Sequence, residues 1–519
     1  MLFNSYPFLF VFFPAAVALY FCASRIGGRA GSAAIVLASV VFYASWDVRF
    51  LALLGGSILT NYAVGRALSS AMRRNRARPA NGLAISGVAL NLLVLGIFKY
   101  SRFAVENVNG VLHSGFALPS IILPLGISFF TFEQIGYLID IRRGNKYPAG
   151  LLSYSVFVSF FPRLVAGPIL RYNEILPQLA KTPRPAQLAE NLTIGLTMFF
   201  AGLAKKTMLA DGIAPLVAPL FSAAAAGKQP DLLMAWGGAL AYTLQIYFDF
   251  SGYSDMAIGA ARCFGIKFPQ NFNSPYKAAS IIEFWRRWHM TLSRFLRDYL
   301  YIGLGGNRRG PARRYANLMI TMLLGGLWHG ANWTFIVWGG LHGVYLAVNH
   351  LFRERRARNQ TLDRIFKSRL GQCLCAVVTF ASVVVAWVFF RAPDFGAASA
   401  ILRGMAGLHG INLPSALAPA LGHVQPVLNL LGVGYAETSG TEFVKTWLWI
   451  AALLGIALLT PNTQELMARY EPALGFAPDP GRRRTQWAPT LAWATATGAL
   501  GFAAVISITR VSTFLYWQF

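Results

Sequence analysis

The sequence predicts an all-α polytopic membrane protein, and three observations carry that prediction. Of the 519 residues, 55% are hydrophobic and only 13% charged, about half the charge of a soluble chain. Many apolar runs reach the roughly 20 residues that cross a bilayer. Those runs are continuous, not alternating, which argues against a β-barrel. The mean hydropathy of +0.48 agrees, and the chain reads as a single membrane domain over 1–519.

The net charge is +26. In a membrane protein most of that belongs in short cytoplasmic loops, facing anionic lipid headgroups. Basic residues confined to such loops make nucleic acid an unsuitable partner; a phosphorylated donor or an acidic carrier protein suits them better. The cysteines Cys22, Cys263, Cys373 and Cys375 form neither a disulfide framework nor a zinc spacing. The first apolar segment, Phe8 to Tyr20, has no basic residue before it and is followed by Arg25 and Arg29. That polarity is wrong for a cleaved signal peptide and predicts an uncleaved first span with its N-terminus outside.

Taken in order, apolar runs place spans at about 7–22, 32–46, 50–70, 84–98 and 119–140. Arg73, Arg74, Arg76 and Arg78, then Arg142, Arg143 and Lys146, mark the cytoplasmic side. Phe160-Phe161-Pro162-Arg163 to Gly167-Pro168 sets two prolines and an arginine in apolar surroundings. A broken or re-entrant helix against protein accommodates them better than a straight span. Runs at about 190–220 and 233–262 follow. The first holds Lys205, Lys206 and Asp211; the second holds Asp249 and Asp255 in Tyr247-Phe-Asp-Phe-Ser-Gly-Tyr-Ser-Asp255. Carboxylates at that depth face the bundle interior and need a hydroxyl or a basic partner; they either form a structural network or orient the reacting groups.

Residues 263–316 are too polar to cross and read as cytoplasmic interfacial helices. Eight arginines lie between Glu283 and Arg314. Helical spacing puts Trp285, Trp288, His289, Leu292 and Leu296 on one face of a continuous amphipathic helix. Apolar character resumes at about 317–351, interrupted by Gly325, Gly326 and Gly330 where a break or close helix approach is allowed. Arg353, Arg355, Arg356 and Arg358 return the chain to the cytoplasm. A span at about 370–391, a periplasmic loop at 392–443 with few basic residues, and spans at about 444–460 and 487–509 complete the chain, with cytoplasmic Arg482 to Arg484 between the last two and the C-terminus outside.

The candidate chemistry lies in two Trp–His pairs, Trp288-His289 and Trp328-His329. His329 stands in a glycine-rich break within an apolar run, with Asn332 and Trp333 one turn on. An imidazole titrating near neutrality suits general-base work on a hydroxyl. His289 is its expected partner, binding the acyl donor or polarising its carbonyl as an oxyanion-type donor. His342 reads as core. No nucleophile elbow, Walker loop or dinucleotide fingerprint appears, and no third ligand stands at metal spacing, so no metal is expected.

Glu283-Phe-Trp-Arg-Arg-Trp-His289, Arg297-Asp-Tyr-Leu-Tyr-Ile302, Leu304-Gly-Gly-Asn-Arg308 and Leu324-Gly-Gly-Leu-Trp-His-Gly330 closely resemble the membrane-bound O-acyltransferases, in their bacterial polysaccharide-acetylating branch. The similarity runs from the first span to Phe514-Leu-Tyr-Trp-Gln-Phe519. It implies a ring of about 10–12 transmembrane or re-entrant helices around a central funnel. It maps the family histidine to His329 and a second important position to His289. It implies transfer of an acetyl group from acetyl-CoA or an acetyl carrier, with no bound cofactor, across the inner membrane. Periplasmic acetyltransferase subunits would then place it on an exported polysaccharide such as alginate. Peptidoglycan or cellulose acetylation, teichoic acid D-alanylation and non-catalytic transport are the alternatives. Trp285, Trp288, Arg286, Arg287, Asn332, Asp249 and Asp255 are the expected substrate-binding residues, and Arg308 and Arg309 could share donor phosphates. The terminal motif resembles one whose tyrosine hydroxyl carries the acyl group onward, which makes Tyr516 a possible relay; an aromatic belt is the simpler reading.

Overall fold

The computed structural model describes residues 1–118, 121–145, 150–179, 185–475, 486–508 and 514–515. Six of its helices are long and apolar enough to cross a membrane: Pro7–Ile26, Ala77–Leu112, Gln187–Ala225, Trp333–Arg358, Arg369–Arg391 and Gly440–Leu459. Gly28–Ala44 and Leu491–Ile506 are apolar but shorter. The protein is therefore a multi-pass membrane protein, and each expected span contains a helix or a helix pair, the one at about 119–140 being helical only from Ile127.

The 32-residue α-helix Leu232–Cys263 is central, buried almost continuously from Ala235 to Cys263. Its neighbour Pro185–Ala204 approaches backbone to backbone. A Cβ at Gly202 would fall 2.5 Å from the Gly252 carbonyl oxygen, and one at Gly259 2.5 Å from that of Gly195. Small residues at a helix crossing permit such contact, and dispersion then holds the pair where lipid offers no hydrophobic drive.

Hydrogen bonds between distant segments define two opposite faces. On one, Arg142 reaches Asn81, Arg143 the Asp298 carbonyl, Arg294 Glu174, and Lys267 Glu471. This is the face of the arginine-rich loops. On the other, Tyr43 bonds the Leu125 carbonyl, Trp333 bonds Asn107, Asn332 bonds the Pro393 carbonyl, and Tyr6 bonds the carbonyls of Val505 and Ile508.

The break expected near Phe160 is present. Leu151–Ser159 ends at Phe160, and a single turn, Phe161–Leu164, precedes irregular backbone. Its amides are satisfied by side chains: Phe161 by Ser39 Oγ at 3.1 Å, Ile169 by Thr291 Oγ1 at 2.9 Å, Leu170 by Glu133 Oε1 at 3.0 Å. Buried Arg163 pairs with Glu133. Irregular backbone at this depth survives only where protein replaces water in this way.

Three expectations need correction. The continuous helix through 283–293 does not form. Ile281–Arg287 and Met290–Phe295 are separated at His289, whose φ of +41° leaves the helical region. The Asn271 carbonyl takes the Met290 amide at 2.9 Å, and its side chain holds the neighbouring residues, outbidding helix continuation. Second, 392–443 is not a plain loop. The helix Phe395–Met405 buries Ala397, Ala398 and Ile401, and the short parallel strands Ile411–Pro414 and Val433–Ala436 pair beyond it. Third, residues 514–515 do not lie at the outer face. Phe514 stacks on Tyr253 at 4.6 Å, and the Leu515 amide donates to Asp249 Oδ2 at 3.0 Å, halfway along the central helix.

Candidate active site

The 20-residue helix Gly310–His329 rises about 30 Å and delivers His329 as its last residue. Gly330, Ala331 and Asn332 turn the chain into Trp333–Arg358. The turn is glycine-dependent: a Cβ at Gly330 would meet the Phe335 ring at 2.2 Å. Below it, a Cβ at Gly326 would sit 2.2 Å from the Phe335 carbonyl oxygen, and one at Gly339 the same distance from that of Met322. The expected interruption of this apolar run is thus a helical hairpin in backbone contact.

The His329 ring is boxed by aromatic edges: Trp338 at 5.0 Å, Trp328 at 5.0 Å and Phe390 at 5.3 Å. It is 4% exposed, yet it lines a cavity of about 170 Å³. The cavity is otherwise walled by Trp46, Lys99, residues 123–129, Val165 and Trp328, all from the face opposite the arginine loops. A ring sealed in packed hydrocarbon would have excluded a role in transfer; this one has an entrance.

A second cavity, of about 450 Å³, opens on the arginine face. Trp285, Arg286, Met290, Thr291, Arg294 and Arg297 contribute to it, and it shares no lining residue with the first. Arg294 is held by Glu174 at 2.6 Å and Arg297 by Asp298 at 2.6 Å. Burial alone would raise the Asp298 carboxyl, but hydrogen bonds from Arg297 and Arg171 bring it below the ordinary carboxylate value, so this rim keeps its ion pairs at neutral pH.

His289 lies between the two cavities, beside the inner wall residues Met290 and Thr291. Its Nδ1 is 3.0 Å from Asn271 Oδ1. That carbonyl oxygen also accepts from Thr291 Oγ1 at 2.8 Å, while the Asn271 amide donates to Ser254 Oγ at 3.0 Å. The carboxamide is thereby oriented, and the imidazole must donate through Nδ1, which leaves the lone pair on Nε2 of the neutral ring. Neutral His289 accordingly offers an acceptor there. The oxyanion role expected for it needs an Nε2–H and is open only to the imidazolium form. Trp328 separates the two imidazoles, its ring 6.4 Å from His289.

The remaining expected site residues divide. Trp285 lines the inner cavity and donates from Nε1 to His342 Nδ1 at 3.2 Å. That places His342, buried as expected, against Trp338, which in turn packs on His329. Arg286 lines the inner cavity; Arg287 turns away to Glu283 at 2.7 Å. Trp288 is packed among Phe284, Phe272 and Trp387 and lines neither cavity. Asn332 caps the next helix through the Thr334 amide. Arg308 and Arg309 are exposed in a turn. Asp249 pairs with Lys206 at 2.6 Å and Asp255 with Lys205 at 2.6 Å, away from both cavities. Tyr516 lies outside the described residues, as do Lys146 and Arg482 to Arg484. Lys99, Asn271, Thr291 and the Glu133–Arg163 pair were missed. For Lys99, Glu133 and Arg163 the signal is a polar residue inside or at the edge of an apolar run; Asn271 and Thr291, within the polar stretch 263–316, carry none.

A model of the membrane-bound O-acyltransferase family matches residues 138–390. The chain is 45% identical over 412 residues to the probable alginate O-acetylase AlgI of Pseudomonas aeruginosa, covering 78% of this chain and 75% of that protein. It is 44% identical over 405 residues to the protein of the same name from Azotobacter vinelandii, covering 77% and 76%. It is 41% identical over 443 residues to the peptidoglycan O-acetyltransferase of Helicobacter pylori, covering 80% and 81%.

Proposed function

This chain belongs to the membrane-bound O-acyltransferase family and is an O-acyltransferase, and from that premise we propose that it passes acetyl groups across the bacterial inner membrane for O-acetylation of an exported polysaccharide such as alginate. One observation carries the reading: two cavities open on opposite faces, His329 lines the outer one, and His289 directly precedes Met290 and Thr291 in the wall of the inner one. Acetyl-CoA or an acetyl carrier enters the inner cavity, where Arg286, Arg294 and Arg297 suit its phosphates. The acceptor hydroxyl enters from the outer face and loses its proton to His329 as its oxygen attacks the acyl carbonyl. The tetrahedral intermediate collapses with expulsion of the thiolate, which takes up a proton on the inner side, while His329 releases the alcohol's proton to the outer cavity and is again the neutral base. The acceptor leaves as the acetyl ester, handed to periplasmic acetyltransferase subunits. Tyr516 is a proposed carrier of that ester. Its neighbours Phe514 and Leu515 are anchored in the core, and Tyr516→Phe keeps the ring while removing the hydroxyl; undiminished polymer acetylation in that variant excludes the relay.

The deciding experiment uses the full chain in lipid vesicles, with labelled acetyl-CoA supplied to the arginine face. His329→Ala should insert normally and lose roughly two to four orders of magnitude in acetyl transfer. A normal rate in that variant refutes the assignment, and uphill movement of an unmodified solute without transfer would support a transporter instead. The Helicobacter pylori relative favours peptidoglycan as the second acceptor to test, by offering each polymer in turn.

A further inference from the structure

Where the helix Gly310–His329 ends, its last carbonyls have no intrahelical partner and must find one elsewhere. The Gly326 carbonyl takes the Gly330 amide at 3.4 Å. The next three are met from a single dipeptide. Tyr100 Oη donates to the Leu327 carbonyl at 2.9 Å, and Lys99 Nζ donates to those of Trp328 at 2.6 Å and His329 at 3.1 Å. The third Lys99 proton goes to Ser128 Oγ at 3.3 Å. All three ammonium donors are thus used, and all four orphan carbonyls are satisfied.

Two features make this more than a helix cap. Lys99 and Tyr100 lie in a π-helical turn, Gly96–Tyr100, inside an otherwise α-helical span. Such a turn costs hydrogen-bond quality and recurs at functional sites. Here it widens the helix so that two successive side chains reach the same target. The second feature is charge. A neutral donor caps the Leu327 carbonyl, yet an ammonium within a span caps Trp328 and His329, the two residues of this helix that line the outer cavity. A cation in a span is expensive and is kept where it acts; the negative end of the helix dipole offsets part of that cost.

We infer that Lys99, assisted by Tyr100, is a positioning residue that clamps the end of the helix so that the His329 imidazole stays aimed into the outer cavity. The inference rests on His329 being the base. A base displaced by about 1 Å loses on the order of a hundredfold in rate, whereas the donor binds in the other cavity, which the clamp does not touch. The effect therefore belongs in kcat and not in the donor KM.

The test measures thiol release from acetyl-CoA by the reconstituted full chain, with a saturating soluble alcohol as acceptor. Lys99→Met should lower kcat about tenfold to a hundredfold while the acetyl-CoA KM stays within about twofold. Lys99→Arg, which keeps the charge and the donors, should recover most of the loss. Tyr100→Phe should lower kcat by a few-fold, again without moving KM. A Lys99→Met enzyme with kcat within twofold of the parent, or one whose loss is matched by a rise in KM, overturns the clamp. If Lys99→Met does not insert, Tyr100→Phe decides, and an unchanged kcat there overturns it equally. His329→Ala is run alongside. Full activity in that variant would sink the base assignment itself, whereas its inactivity beside a fully active Lys99→Met would sink the clamp alone.

Discussion

Two of the polar clusters inside this bundle are built on opposite plans. The central helix carries Asp249 and Asp255, each matched by a lysine, with Asp211 also on Lys206 at 2.7 Å and Gln464 on Asp255 at 3.3 Å. Around His329 and His289 stand a carboxamide, a hydroxyl and aromatic rings, and the nearby cation Lys99 is turned onto backbone carbonyls. In the first cluster every charge is answered by its opposite, so it joins helices and tends to stay as it is. In the second the group that orients His289 is a neutral carboxamide and the His329 ring packs among aromatic edges, surroundings that suit a proposed proton acceptor. On that reading the kind of partner, more than burial, separates a structural polar group from a reactive one.

That contrast breaks most readily at its extremes. His329→Ala should abolish transfer while leaving thermal unfolding in detergent within a few degrees of the parent. Lys206→Met should do the reverse, leaving two carboxylates without their shared cation at a cost of about 3–5 kcal/mol. The readout is a collapse of folded, monodisperse protein, and Lys206→Met/Asp249→Leu should recover much of it. A Lys206→Met protein that is stable and inactive would move the charged cluster into the chemistry. Asn271→Ala sharpens the second cluster. It frees the His289 tautomer and should lower transfer about tenfold to a hundredfold, with a smaller loss of stability of about 1–3 kcal/mol from the orphaned hydroxyls. Arg294→Gln is the mildest, a few-fold rise in the donor KM that shrinks as salt is added, because this side chain is partly exposed.

Much of the architecture was legible because length and continuity of apolar runs are read directly from the chain, and proline and glycine marked the breaks near Phe160 and Gly330. Basic loops sorted the faces. The Trp–His pairs pointed to the site because imidazole is rare at such depth. What stayed hidden depends on distant segments meeting. Nothing local to His289 announces that Asn271 interrupts its helix, for the periodicity of Trp285, Leu292 and Leu296 fits an unbroken one. Lys99 stands just past the apolar run at about 84–98, and nothing local shows that the end of another helix is placed beside it. Asp249 and Asp255 are candidates for the same reason as His329, and what distinguishes them in the structure is their pairing with lysines and their absence from both cavity walls.

The rings of Trp328 and His289 stand between the two recesses, so the electrical potential of the membrane would fall over a short distance there instead of the full bilayer thickness. On the proposed route the acetyl group leaves a thiolate behind and replaces a proton on the alcohol ahead, so it moves outward as the equivalent of one positive charge. With the thiolate protonated from the inner side and the alcohol's proton released to the outer, that charge is not returned and traverses the field, at about 2.3 kcal/mol for each 100 mV. Turnover on this route would then be voltage-dependent, and a potential negative on the inner side would brake acetylation.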